Sequence, residues 1–143
     1  QGSGTFVNVA SMAGLMLAPM MGSYNVSKAG VIALSETLSL ELRDAGIHIC
    51  CVCPSFFRTN LASGMRSDLP GIQQNINGLM KRSSVSAEDV ADDIARAVRQ
   101  GDFWVLPHQK ERRLWVLKRH APWAFDYIMH RESRRWIKRM AGG

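Results

Sequence analysis

"YNVSKAGVIALSETLSLELRDAGIHICCVCP", residues 24–54, joins a long proline-free run to a short block of β-branched and thiol side chains. From Tyr24 to Ala45 the residues are rich in Leu, Ala and Glu. That composition predicts a helix of about six turns at 3.6 residues each, closed by Gly46. Val31, Ile32, Leu34, Leu38, Leu40 and Leu42 cover more than one stripe of its surface, so burial on two sides is expected. "IHICCVCP" (Ile47–Pro54) is almost continuously apolar, as a central parallel strand covered on both faces should be.

Upstream, "TFVNVAS" (Thr5–Ser11) reads as a buried strand, and "MAGLMLAPMMGS" (Met12–Ser23) as an apolar loop broken by two glycines and a proline. Downstream, residues 55–82 read as irregular with short helices. In "SAEDVADDIARAVRQG" Ser86 is followed three residues later by Asp89, a capping-box pattern, and Gly101 stops the helix. "DFWVLP" then predicts another strand. Strand, helix, strand, helix, strand is the rhythm of an α/β domain with a parallel sheet.

At 143 residues, 46% hydrophobic and 21% charged, the chain has the profile of one globular domain. No apolar run is long enough to cross a bilayer. The opening "QGSGTFVNVA" has neither a basic leader nor an apolar signal core. It also lacks a starting methionine, and the expectation is that the chain begins within a longer protein. The net charge of +6 belongs to the tail: residues 108–143 hold 10 Lys/Arg and 3 Asp/Glu, while residues 1–107 hold 8 and 9. An anionic partner should therefore be sought at the tail.

Cys50, Cys51 and Cys53 sit in one short strand, where adjacent positions point to opposite faces, so they cannot build a disulfide framework. His48, His108, His120 and His130 do not supply metal-ligand spacing, and no metal site is expected. The thiols read as small buried hydrophobes in a reducing compartment, which gives the cytoplasm as the expected location.

Tyr24 and Lys28 lie four apart, hence on one helical face. An ammonium beside a phenol favours the phenolate by charge, and such a phenol can exchange a proton with a carbonyl or alcohol oxygen. Many surface helices carry this spacing without purpose. Ser11 adds weight, because it ends a strand at the carboxyl edge where open α/β sheets place their ligands. Its hydroxyl can donate to the same oxygen.

"NVAS" ending at Ser11, and "YNVSK" from Tyr24 to Lys28 thirteen positions on, resemble the short-chain dehydrogenase/reductase family. "CVCPSFFRT" (Cys51–Thr59) is similar to that family's strand followed by a Pro-Gly-x-x-x-Thr segment, with Ser55 standing where the family has glycine. The likeness covers residues 4 to about 107. It implies the carboxyl-terminal half of a Rossmann-like, doubly wound parallel sheet. Outside the likeness, residues 108–143 read from their own texture as a basic, aromatic helical tail, with Pro122 parting "QKERRLWVLKRH" from "FDYIMHRESRRWIKRM". The likeness also implies hydride transfer between NAD or NADP and a carbonyl or secondary alcohol, with Tyr24 as acid/base and Ser11 polarising the reacting oxygen. Lys28 would bind the nicotinamide ribose and support Tyr24. Pro54, Ser55, Phe57 and Thr59 would contact the nicotinamide end.

The family's Gly-x-x-x-Gly-x-Gly turn, its Asn-Ala-Gly segment, its catalytic asparagine and the residue that separates NAD from NADP have no counterpart in residues 1–143. The expectation is a catalytic half, inactive alone. The alternative is a non-catalytic binding or scaffold protein that keeps the fold without a complete cofactor site.

Met12, Met16, Met20 and Met21, with Leu61, Met65, Leu69, Ile72, Leu79 and Met80, fall where that family walls its substrate cavity. They point to an apolar or lipid-like substrate, or equally to ordinary packing under a loop. The resemblance further implies a homo-oligomer paired through the 24–45 helix. In the tail, Trp115, Trp123, Phe125, Tyr127 and Trp136 alternate with Arg and Lys. That texture fits a peripheral membrane contact or a flap folded over the cavity. Nucleic-acid binding has charge in its favour but no motif.

Overall fold

The structure, a computed structural model, describes residues 2–59 and 72–141. Three strands form one parallel sheet in the order β1 (Gly4–Val9), β2 (Ile47–Val52), β3 (Trp104–Val105). Gly4 pairs with Ile47 and Val9 with Val52, while Cys51 and Val52 pair with Trp104 and Val105. The central position expected for Ile47–Pro54 is the one β2 occupies.

The connections are helical, as parallel strands require. Between β1 and β2 run α1 (Met12–Met16), α2 (Gly22–Glu41) and a 3₁₀ turn (Arg43–Ala45) ended by Gly46 at φ 69°. Between β2 and β3 run α3 (Ile72–Arg82) and α4 (Ala87–Gln100). Side chains alternate across β2 and settle the layers. Cys51 and Cys53 join Ala10, Met12 and Ile32 on the α2 face, whereas Cys50 and Val52 join Val90, Ala97 and Val105 on the α4 face. Helices on both faces of a parallel sheet make this the doubly wound α/β arrangement.

Local signals hold where they are strongest. The Ser86 hydroxyl accepts from the Asp89 N–H and the Asp89 carboxylate from the Ser86 N–H, which keeps the Asp89 carboxyl below its usual range. Gly101, at φ 72°, ends α4. Pro122 opens α6 (Pro122–Ala141) after α5 (Gln109–His120), as a residue without an N–H can at a first helical position.

Three expectations change. The segment Met12–Ser23 is not all loop: Ser11 caps the short helix α1, and Met12 belongs to the core at 4% exposure. The long helix starts two residues before Tyr24 and stops at Glu41 rather than Ala45. Nor is it buried on two sides: Asn25, Ile32 and Ser35 are covered, while Val26, Leu34 and Leu40 are open to solvent. Lastly, β1 is not a buried strand. It lies at the sheet edge with Phe6 57% and Val9 54% exposed, since β2 alone pairs with it among the described residues.

Candidate active site

Ser11 sits just past the carboxyl end of β1, at 8% exposure. Its Oγ accepts from the Ala13 N–H at 3.1 Å, which caps α1 and orients the side chain. The hydroxyl proton is directed at the Pro54 carbonyl across 3.4 Å, a long bond for a hydroxyl donor and so one readily exchanged for a better acceptor. The same carbonyl accepts from the Met12 N–H at 2.9 Å, and the Ala10 N–H donates to Val52 at 2.8 Å. The ends of β1 and β2 are thereby held together, and Ser11 and Pro54 with them.

Tyr24 and Lys28 stand one turn apart at the start of α2, both half-buried. Lys28 Nζ lies 5.8 Å from the centre of the Tyr24 ring and donates to the Val9 carbonyl at 3.1 Å. Since Val9 precedes Ser11 by two residues, that bond brings the ammonium to the same strand end as the serine. The Tyr24 hydroxyl has no hydrogen-bond partner among the described residues.

What sets this geometry is a residue that carries no functional group. A β-carbon at Gly14 would come within 2.7 Å of the Lys28 carbonyl carbon and 2.8 Å of the Ala29 nitrogen. Only glycine lets α1 lie against α2 at the level of Lys28. Further along, Ser35 is fully buried, donates to the Val31 carbonyl and accepts from the Asn8 amide at 3.0 Å, which ties α2 to β1. Asn25 donates to the Ala18 carbonyl at 2.7 Å and so holds the loop between α1 and α2. That loop carries Leu17 at φ 59° and Met20 at φ 63°, left-handed backbone for side chains that rarely adopt it.

The segment expected to meet a cofactor follows β2. Pro54 is buried, Ser55 and Phe57 are half-buried and Thr59 is exposed. Ser55 is not at positive φ, so the turn closes without glycine. His108 explains how it is held. At 8% exposure, its Nδ1 accepts from the Ser55 N–H at 3.2 Å and its Nε2 lies 3.1 Å from the Phe56 carbonyl. One neutral tautomer satisfies both contacts, with the proton on Nε2. Neither Gly14 nor His108 was singled out by motif. A lone histidine before a basic tail gives no local hint that its ring will meet a loop more than 50 residues away.

The thiols stay out of this chemistry. All three cysteines are free and buried, and Cys51 Sγ lies 3.9 Å from Cys53 Sγ. The contact with Cys51 and burial push the Cys53 thiol up, and burial does the same to Cys50. Of the methionines between Ser11 and Tyr24, Met12 is core and Met16 packs on it, while Met20 is 39% exposed. Leu61, Met65 and Leu69 lie outside the described residues, as does the side chain of Ile72. Met80 packs with Ile76 beneath Phe56 and Trp136.

The tail folds back on this end of the molecule. Trp115 of α5 packs against Trp104 at 5.3 Å between ring centres, and Lys118 Nζ donates to the Leu15 carbonyl at 2.6 Å. Phe125 of α6 is 4% exposed, and Trp136 reaches Phe56 beside the His108 clamp. No helix among the described residues is long and apolar enough to cross a membrane.

Comparison with known proteins agrees with this reading of the fold. Residues 1–70 match the family model described as short chain dehydrogenase. A 67-residue stretch is 36% identical to the 3-oxoacyl-acyl-carrier-protein reductase of Chlamydia muridarum, covering 47% of this chain and 27% of that protein. Among solved structures, a short chain dehydrogenase/reductase from Burkholderia phymatum in complex with NAD superposes with a TM-score of 0.73 at 29% identity. That match covers 82% of this chain and 47% of the other. A short-chain dehydrogenase from Sphingobium yanoikuyae in complex with NADPH gives 0.57 at 26% identity, over 74% of this chain and 38% of the other. The chain therefore spans less than half the length of each of these relatives. With the family match over residues 1–70, the sequence relative and the solved neighbour all of one kind, the chain belongs to the short-chain dehydrogenase/reductase family.

Proposed function

We propose that this chain supplies the acid–base part of an NAD(P)-dependent oxidoreductase acting between a carbonyl and a secondary alcohol. The observation that supports it is the bond from Lys28 to the Val9 carbonyl, which draws the Tyr24–Lys28 turn to the strand end where Ser11 sits. The residues suit a nicotinamide cofactor. Lys28 uses one of its three donors on Val9 and keeps two for the hydroxyls of a ribose. The Pro54–Thr59 segment offers Ser55, the backbone at Phe57 and the exposed Thr59 hydroxyl to a carboxamide. NAD and NADP both remain candidates, because the two solved neighbours hold one each.

When bound, the cofactor gives or takes the hydride. Tyr24 moves the proton: its hydroxyl donates to the carbonyl oxygen during reduction and takes the proton back during oxidation. Lys28 stabilises the charge left on the phenol oxygen by Coulomb attraction. Ser11 exchanges its long bond to Pro54 for one to the substrate oxygen and fixes that oxygen in place.

Exposed Leu17 and Met20 between the serine and the tyrosine favour an apolar or lipid-like substrate. The open Val26, Leu34 and Leu40 on α2 favour a second copy of the chain as partner, since a symmetric contact would bury them.

The decisive experiment is Tyr24→Phe in the full gene product, assayed with NADH and NADPH against a series of aliphatic ketones. Turnover should fall by about 10²–10⁴-fold, the usual worth of a positioned proton donor, while cofactor titration by fluorescence stays within about twofold. A variant with near-normal turnover overturns the assignment.

A further inference from the structure

We infer that the outward face of α6 is a docking surface for an anionic lipid membrane. The helix has two faces of opposite character. Phe125 is 4% exposed, with Lys118 of α5 above its ring, and Trp136 packs with Ile76, Met80 and Phe56. On the other side, Trp123 is 78% and Tyr127 72% exposed, one turn apart. A single exposed aromatic residue is ordinary on a protein surface; two on successive turns of a basic stripe are not.

At 3.6 residues per turn, Trp123, Tyr127, His130, Arg131, Arg134 and Lys138 fall within an arc of about 100°. All six are exposed. No acidic side chain shares the arc. Asp126 lies off it, and Glu132 lies on the far side, where it pairs with Arg135 at 2.7 Å. Arg131, Arg134 and Lys138 form no ion pair among the described residues. An amphipathic helix with aromatic rings and uncommitted cations on one side suits the boundary between headgroups and acyl chains. Indole and phenol rings settle at that level because each has an apolar body and a polar edge.

Charge elsewhere reinforces the orientation. Residues 1–107 are nearly balanced, so the attraction to an anionic surface is concentrated on the tail and would present this end of the molecule first. Folding of the tail on the body and docking on a membrane do not compete, because they use different faces. The inference does not depend on the proposed chemistry: a chain with no turnover would dock equally well.

The test is co-sedimentation of the chain with vesicles of phosphatidylcholine alone and with about one-third phosphatidylglycerol, at low and high salt. Binding is expected to the anionic vesicles only, and to weaken as salt rises. Arg131→Gln/Arg134→Gln/Lys138→Gln should weaken it on the order of a hundredfold, at roughly fivefold for each cation near the surface. Trp123→Ser/Tyr127→Ser should weaken it at least tenfold, from lost apolar area. All five positions are exposed, so thermal melting and circular dichroism should match the unaltered chain and exclude misfolding. Unchanged vesicle binding by either variant overturns the proposal. So does the absence of binding to anionic vesicles, including the case in which the chain is instead retained by a DNA duplex or by polyglutamate at the same salt.

Discussion

Helices α2 and α6 are both 20 residues long, and they are held in opposite ways. Contacts from three directions fix α2: Gly14 lets α1 touch its backbone, Asn8 bonds to its Ser35, and Lys28 reaches the end of β1. Polar side chains and a glycine do most of this, and they set position to within hydrogen-bond tolerance. By contrast, α6 is attached mainly by the apolar side chains Phe125 and Trp136, with Lys118 of α5 above the Phe125 ring at 5.6 Å. Apolar contact is non-directional, so it fastens a helix without specifying its register finely. On the proposed function and the inferred docking surface, α2 would aim a proton donor and needs the first kind of attachment, while α6 would present a surface and can rely on the second.

Removing the main apolar anchor tests that contrast most strongly. Phe125→Ala should cost about 3–5 kcal/mol of packing energy, read by hydrogen exchange as lost protection along α6 while α2 keeps most of its own. Equal loss in both helices would show one cooperative unit and abolish the distinction.

On the α2 side, Gly14→Ala forces a methyl group against the backbone at Lys28 and Ala29. An overpacking cost of about 1–3 kcal/mol is expected in chemical denaturation, because backbone cannot yield as a side chain can. Gly78 has open space around it, so Gly78→Ala should cost nothing by crowding and serves as the control. If Gly14→Ala matched the unaltered midpoint, α1 would not be what positions Lys28.

The smallest expected effect concerns the clamp under the candidate cofactor segment. His108→Ala leaves the Ser55 N–H and the Phe56 carbonyl without their partner, at a cost of about 1–2 kcal/mol. His108→Asn, which offers an acceptor and a donor on a shorter side chain, should recover part of it. Denaturant midpoints of the two variants decide the matter: equal losses would mean that ring packing, and not the two hydrogen bonds, is what His108 contributes.

Much of the architecture was legible because its signals are local. The Ser86–Asp89 capping box, Gly101 and Pro122 act on the backbone within a few residues, so they mark helix ends in any tertiary setting. Alternation along Cys50–Cys53 divides one strand between two faces wherever that strand lies. The placement of the proposed site residues was local too: Tyr24 and Lys28 lie one helical turn apart, and Ser11 follows a strand.

Other features depend on what lies across the fold. The β-branched and aromatic residues of β1 read as interior, yet Phe6 and Val9 are exposed, since burial belongs to neighbours and not to composition. Met12 read equally as substrate wall or as packing under a loop, and only the fold decides for the core, because α1 turns it toward Cys51 and Cys53. His108, noted in the sequence only as lacking metal-ligand spacing, closes on Ser55 and Phe56 across more than 50 residues. Periodicity and caps are written in steps of two to four residues. Which side chain lies opposite Gly14 or beneath Trp136 is settled only when distant segments pack, and packing answers to volume and hydrogen-bond geometry that no short window of sequence contains.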